Sequence, residues 1–404
     1  MSPLQSLPPA SAEEIQRSQL LVEKIRSVIK ASPDVSIGFD TFMGLCLYEP
    51  GLGYYTGPSQ KFGIHGDFVT APMQSPLFGA CIGQQCAQWL SQLEINEGIL
   101  EFGAGDGLLA AQVLNELSRQ GQEVAYAIVE LSADLQARQR TTIATLAPQA
   151  LDRVVWLDQL PSAFKGVILG NELIDAMPVR LFRLEPNSVG LLEKFERRVT
   201  CDLGEGGPFA WRDTKADPQL QQDIDTALGR ANWGIERVAG YVSELPSQAN
   251  AWIASVSQCL EQGVILLLDY GFSAQEFFHP QRSQGTLNCH YRHHSHGEPF
   301  YLPGLQDITA HVDFSALLDE AFANGLELLG YTNQAHFLMN LQMLDKLKAM
   351  TASPQYPLHA QAVGRLLSEA EMGDLFKVIA FGKLDSGRVF RSLGFSNGDK
   401  SHTL

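Results

Sequence analysis

Residues 98–109, GILEFGAGDGLL, put Gly103, Gly105 and Gly107 on alternate positions directly after a short apolar run. The run Ile99-Leu100-Glu101-Phe102 reads as a buried strand, and Leu108 to Leu117 as the opening of a helix. A glycine turn between the carboxyl end of a strand and a helix N-terminus is a place where backbone can close on a nucleotide-like ligand. A dinucleotide fingerprint would carry its third glycine where this chain has Leu108. Instead, Glu101 stands two residues before the first glycine. An acid there repels a pyrophosphate and suits the ammonium group of an amino acid.

S-adenosylmethionine carries that ammonium group beside a sulfonium, and further residues fit it. The next apolar strand, VAYAIVE, ends in Glu130, 23 residues after Gly107, where a carboxylate can accept both ribose hydroxyls. The strand after that, RVVWL, is followed by Asp158 and Gln159, placed to reach an adenine amino group. The cofactor-binding set on this reading is Glu101, Gly103, Ala104, Gly105, Gly107, Glu130, Leu131, Asp158 and Gln159. The plainer reading is a tight turn and a solvated strand end.

These residues need a parallel sheet to position them. Near-continuous apolar strands at 99–102, 124–130, 153–157, 166–171 and 263–271 alternate with helical stretches, which indicates an α/β fold with a sheet covered on both faces. LELLGYT (326–332) and LFKVIAFGK (375–383) add edge strands. The ninety or so residues between the fourth and fifth strands exceed any ordinary crossover connection. They hold VRLFRLE and GLLEKFERRVTCDL, which alternate like a hairpin, and then a helix around 217–229. The expected organisation is an N-terminal section (1–95), a core (96–333) with an insertion about 178–260, a helical insertion (334–374), and a last strand with a tail (375–404). The N-terminal section reads as helices at 12–31, 37–48 and 76–93 around a glycine-rich loop at 51–67.

Composition narrows the function classes. Twenty-nine basic against forty-five acidic residues give a net charge of −16, which opposes a broad phosphate-binding face and so a nucleic-acid partner. The six cysteines (Cys46, Cys81, Cys86, Cys201, Cys259, Cys289) form no C-x-x-C pair and read as reduced, mostly buried thiols. No apolar run is long enough to span a bilayer, and the first thirty residues, with Glu13, Glu14 and Glu23, do not resemble a signal or transit peptide. The expectation is a cytoplasmic protein without membrane insertion.

The motifs GLGYYTG, GDFVTAP, PLFGACIG, LEFGAGDG, GNELIDAMPV, LLLDYG, GTLNCHYRHH and DITAHVDF occur in this order from about residue 38 to 383. In this the chain resembles the MidA-like methyltransferases, a class I S-adenosylmethionine-dependent family that includes the mitochondrial complex I assembly arginine methyltransferase. The resemblance implies a Rossmann-like, seven-stranded, mostly parallel sheet with N-terminal and inserted helical elements. It also implies S-adenosylmethionine as cofactor and an arginine-bearing protein substrate, with a respiratory complex subunit as one such target. The segment with Tyr54, Gly66, Asp67 and Thr70 covers the cofactor in this family, so the resemblance makes these four cofactor candidates. Read without it, tyrosines in a glycine loop are packing or hairpin residues. The chain departs from the family at Met73, where relatives carry a glutamate after Thr-Ala-Pro.

Methyl transfer to a guanidinium needs carboxylates that fix the planar group, ideally in pairs. The fourth strand ends in Asn171-Glu172 with Asp175 three residues on. Glu172 and Asp175 are therefore the expected substrate-side acids, with Asn171 closing over the cofactor. Asp175 can alternatively cap a helix starting near Met177 or Pro178. His311 in DITAHVDF is a candidate to take a proton from the guanidinium product, and Asp313 lines the same edge or caps a helix. This strand end lacks the Asn/Asp-Pro-Pro-aromatic turn of base methyltransferases, which again opposes a nucleic-acid substrate. His290, His293, His294 and His296 lack metal-ligand spacing, and no metal is expected. Two other functions stay open: a cofactor-binding assembly factor with little catalysis, and a small-molecule methyltransferase. Sequence leaves the oligomeric state undefined.

Overall fold

The computed structural model describes residues 7–57, 70–94, 98–202, 204, 207–234, 239–385 and 390–404. The chain divides into two compact units. The first comprises Met1–Phe68, Asp175–Ala251 and Phe272–Leu317, and the second Val69–Ile174, Trp252–Gly271 and Leu318–Leu404.

The second unit is built on seven strands of one sheet. Its strands in chain order are β1 (Ile99–Phe102), β2 (Tyr126–Val129), β3 (Val154–Leu157), β4 (Phe164–Asn171), β5 (Leu260–Phe272), β6 (Glu327–Asn333) and β7 (Phe376–Lys383). Their spatial order is β6-β7-β5-β4-β1-β2-β3. The five strands from β5 to β3 run parallel, while β7 is antiparallel to both neighbours. The sequence reading puts both late strands at an edge. The structure leaves only β6 at an edge and inserts β7 between β5 and β6, which explains why its first seven residues are all buried.

Helices cover this sheet. Pro76–Leu93, grouped by sequence with the N-terminal section, belongs here: Cys81, Ile82, Cys86 and Trp89 join one core with Val167, Leu169 and Leu266. Its start is fixed by Ser75, whose side chain accepts from the Leu77 amide, and by Pro76 at the first helical position. The 334–374 region folds into short helices, Gln334–Asn340, Met343–Ala349, Tyr356–Leu367 and Met372–Leu375. At the amino-terminal end of the parallel strands the backbones come unusually close. A Cβ on Gly263 would lie 1.9 Å from the Gly166 carbonyl oxygen, and one on Gly166 would lie 2.2 Å from that of Gly98.

In the first unit the expected hairpin is present. Arg180–Pro186 pairs antiparallel with Leu192–Cys201, and Ile37–Gly38, Phe209–Lys215 and Tyr241–Leu245 complete a five-stranded sheet. The helix expected over 37–48 yields its first two residues to this sheet and runs Phe39–Tyr48. Helix Ala12–Ala31 starts in a capping box, in which Ser11 accepts from the Glu14 amide and Glu14 accepts from the Ser11 amide. Its face with Leu21, Ile25 and Ile29 packs into a cluster containing Phe39, Phe42 and Val199. No described helix is long and apolar enough to cross a membrane. All six cysteines are buried and free.

Candidate functional site

The sheet reverses its direction of growth at β1: β2 and β3 lie on one side, β4 and β5 on the other. Ligands of open α/β sheets bind at the carboxyl ends of the strands flanking such a reversal. Phe102, the last residue of β1, pairs with Gly170 of β4. The glycine turn after β1 and the Asn171-Glu172 segment after β4 are therefore neighbours at the switch point. A Cβ on Gly103 would meet the Leu173 side chain at 3.1 Å, which shows how near the two segments run.

In the turn, Gly103, Gly105 and Gly107 have φ of 66°, 54° and 85°. Repeated left-handed residues curl the backbone tightly, and only glycine adopts them without cost. Asp106 Oδ1 accepts from the Leu108 amide and starts the helix Leu108–Arg119. A Cβ on Gly107 would stand 2.9 Å from Gln139 Cα, so the turn lies directly against the helix Ala133–Leu146.

Glu130 follows β2, where its carboxylate is tied on both oxygens: Oε1 accepts from the Ser132 amide (2.8 Å) and Oε2 from Gln139 Nε2 (3.2 Å). The side chain is thus aimed by the structure. Leu131 is exposed, as are Asp158 and Gln159 just past β3. Gln139 is fully buried, and nothing in its surroundings in sequence marks it, because a polar residue in an Arg/Gln/Thr-rich helix reads as solvated.

Glu101 is 1% exposed, and its Oε2 accepts the Tyr126 hydroxyl at 2.8 Å. Burial raises its carboxyl to about 7; the Asp106 charge adds to this and the Tyr126 hydrogen bond partly offsets it. The folded state therefore holds a proton that the unfolded chain has already released. Stability from this group is complete below the ordinary carboxyl range and is lost as pH rises through about 7. The loss is on the order of 3 kcal/mol at one pKa unit per 1.36 kcal/mol. Melting temperature measured at pH 5 and pH 8 should fall more in the wild type than in Glu101→Gln. Equal falls would show that Glu101 ionises normally.

At the end of β4, Glu172 has a φ of 50°, a conformation that costs a non-glycine residue about 1–3 kcal/mol and that clusters at functional sites. Glu172 Oε1 accepts from the Ala71 amide (3.3 Å) and from Asn171 Nδ2 (3.2 Å). Asp269, buried on β5, receives the Leu173 and Ile174 amides on Oδ2 and the Tyr270 amide on Oδ1. That carboxylate pins the segment carrying Glu172. The motif LLLDYG contains Asp269 without marking it for a role. The available signal was an acid at the end of a wholly apolar strand, which burial permits only with partners.

Asn171 is 9% exposed, and its Oδ1 is buried with no hydrogen-bond partner among the described residues. A buried, unmatched amide oxygen beside a curled glycine turn, with a fixed carboxylate at the next strand end, fits a ligand with both an amino acid and a ribose. On the same unit, Thr70 is the N-cap of the short helix Ala71–Gln74, which carries the half-buried Met73.

The first unit holds the remaining candidates. Tyr54 is 1% exposed in the apolar cluster with Cys46 and Phe42, and packs edge-on against Tyr55 at 5.0 Å. Asp175 is 6% exposed, and its charge, after burial and Asp307, helps push the Tyr48 hydroxyl up. No helix begins at Met177 or Pro178, so the capping role for Asp175 is corrected. Asp313 does cap, accepting from the Ser315 and Ala316 amides at the start of helix Phe314–Ala323. The His311 amide donates to Thr286 Oγ1, and its ring meets Phe272 edge-on at 5.0 Å. The histidine-rich stretch is a hairpin: Asn288–Tyr291 pairs with His294–His296 through Arg292 and His293, both with positive φ. Gly66 and Asp67 lie outside the described residues.

The strand order with an inserted antiparallel seventh strand, and a glycine turn facing an acid at the next strand end, define a class I S-adenosylmethionine-dependent methyltransferase. Residues 81–332 match the model of a family described as S-adenosyl-L-methionine-dependent methyltransferase, and the chain belongs to that family. S-adenosylmethionine is its cofactor. A solved structure from Burkholderia thailandensis with S-adenosyl-homocysteine bound is 42% identical, with a TM-score of 0.90 over 99% of this chain and 100% of that one. The mitochondrial protein arginine methyltransferase NDUFAF7 of Danio rerio is 24% identical over 94% of this chain and 90% of its own length. The human protein of that name is 25% identical over 90% and 84%. The cytoplasmic expectation is corrected by these relatives, whose names place them in mitochondria.

Proposed function

We propose that this methyltransferase acts on an arginine nitrogen of a protein substrate, with Glu172 as the acid that holds the guanidinium. The observation that carries the reading is Glu172 itself. A strained glutamate, anchored by a backbone amide and by Asn171, stands at the carboxyl edge of the sheet beside the cofactor turn. The arginine methyltransferase relatives support the choice of acceptor. A respiratory complex subunit as target rests on family resemblance alone.

The bound cofactor supplies an electrophilic methyl group on sulfur. The protein's part is to bring a nitrogen lone pair into line with it and to exclude water. On this reading a Glu172 oxygen pairs with guanidinium N–H groups and fixes the plane. The nitrogen that accepts the methyl group would release its proton to the base candidate His311. Glu101, Gly103, Ala104, Gly105, Gly107 and Asn171 serve the amino acid end of the cofactor. Glu130 serves the ribose, and Leu131, Asp158 and Gln159 the adenine. Thr70 remains a cofactor candidate on the same unit. Asp175 and His311 remain the acid and base candidates of the first unit, and Tyr54, with Gly66 and Asp67, its cofactor candidates.

The test is incorporation of label from S-adenosyl-[methyl-3H]methionine into proteins captured with the full chain, followed by amino-acid analysis. Methylarginine is the expected product. Label confined to lysine or to small molecules would overturn the arginine assignment.

A further inference from the structure

Gln139 sits in the middle of the helix Ala133–Leu146, fully buried, in a stretch whose other polar residues are largely exposed. All of its side-chain polar groups are engaged. Oε1 accepts from Trp156 Nε1 at 2.8 Å. Nε2 donates to the Gly105 carbonyl at 3.0 Å and to Glu130 Oε2 at 3.2 Å. Indole nitrogen is only a donor, so the amide oxygen must face Trp156 and both amide hydrogens must face Gly105 and Glu130. The orientation is therefore dictated by chemistry and cannot be reversed. Trp156 is in turn held by the Arg140 guanidinium, 3.7 Å above its ring centre. The missing Cβ of Gly107 is what lets the Gln139 backbone come this close.

One amide thus connects the turn after β1, the strand end after β2 and an aromatic residue of β3. We propose that Gln139 is a positioning residue for the cofactor's ribose: it fixes the Glu130 carboxylate that meets the 2′ and 3′ hydroxyls, and sets the Gly105 peptide at the same time. The inference rests on the reading of Glu130 as the ribose acid. Gln139 does not touch the cofactor. It acts by removing the rotamer freedom of the side chain that does, a cost otherwise charged to binding.

The experiment compares adenosine with 2′,3′-dideoxyadenosine by calorimetry on the full chain, since only the former offers the two hydroxyls. The wild type is expected to prefer adenosine by at least tenfold. In Gln139→Met, which keeps the volume and loses the hydrogen bonds, that preference should fall below threefold. Dideoxyadenosine affinity should stay within twofold. A merely structural role would weaken both probes together, and an unchanged preference would likewise overturn the proposal. No preference in the wild type would sink the Glu130 reading first and this proposal with it, so the two failures are distinct.

Gln139→Glu provides a second readout should the methionine variant not fold. It puts a carboxylate against Glu130, and a shared proton can restore one donor at low pH. Its adenosine preference should be lost at pH 8 and recover at least threefold at pH 5.5. A preference that stays flat across this range while the wild type also stays flat would count against Gln139 as the donor.

Discussion

Glu172→Gln should lower methyl transfer by about thirtyfold or more while S-adenosylmethionine affinity changes less than threefold. Glutamine keeps an oxygen for the Ala71 and Asn171 donors, so the strained turn and the cofactor side of the site survive. What disappears is the charge. Removing one partner of a desolvated, hydrogen-bonded charge pair costs about 2–5 kcal/mol, or roughly thirtyfold to several thousandfold. Label incorporation per unit time, with calorimetry on the same preparation, separates the two effects. Transfer within tenfold of the wild type would remove Glu172 from the acceptor site. Loss of cofactor binding in parallel would move it to the cofactor side.

The second large effect belongs to Gly105→Val. Gly105 has a φ of 54°, which a β-branched residue adopts only under strain, about 1–2 kcal/mol before any contact is considered. The side chain would also intrude on a turn built for close approach of ligand to backbone. Together these should weaken S-adenosylmethionine binding by at least a hundredfold, about 2.7 kcal/mol, with the circular dichroism spectrum retained. NADH should bind neither protein, because the position of a dinucleotide's third glycine is Leu108. Wild-type-like cofactor affinity in the variant would show that the turn is only a connection.

The parts legible in sequence are those in which local pattern and burial agree. Buried parallel strands read as unbroken apolar runs, and β1, β2, β3, β4 and β5 all fall on such runs. The glycine turn was legible because alternate glycines have few other uses at a strand end. The insertion of β7 was not, because strand order is decided by tertiary pairing and leaves the same apolar run at an edge or inside. Gln139 was hidden for the opposite reason. Its helix looks solvated, and only the approach of Gly107 and Trp156 turns one of its polar residues inward. Asp175 invited a capping role from its neighbours in sequence, but the chain after it enters the Arg180–Pro186 strand with no helix between them.

The close stacking of Gly98, Gly166 and Gly263 bears on how this protein tolerates variation. These three stand at the end of the sheet opposite the cofactor turn, with φ of 115°, 140° and 148°, and each is pressed against the carbonyl of the strand beside it. Even a methyl group has no room there. A survey of viable substitutions would therefore mark two bands of immutable glycine on either end of β1, one proposed to bind ligand and one only admitting neighbouring strands. Intolerance alone would rank them as equals, and a search for the active centre guided by intolerance would find the wrong end of the sheet as readily as the right one.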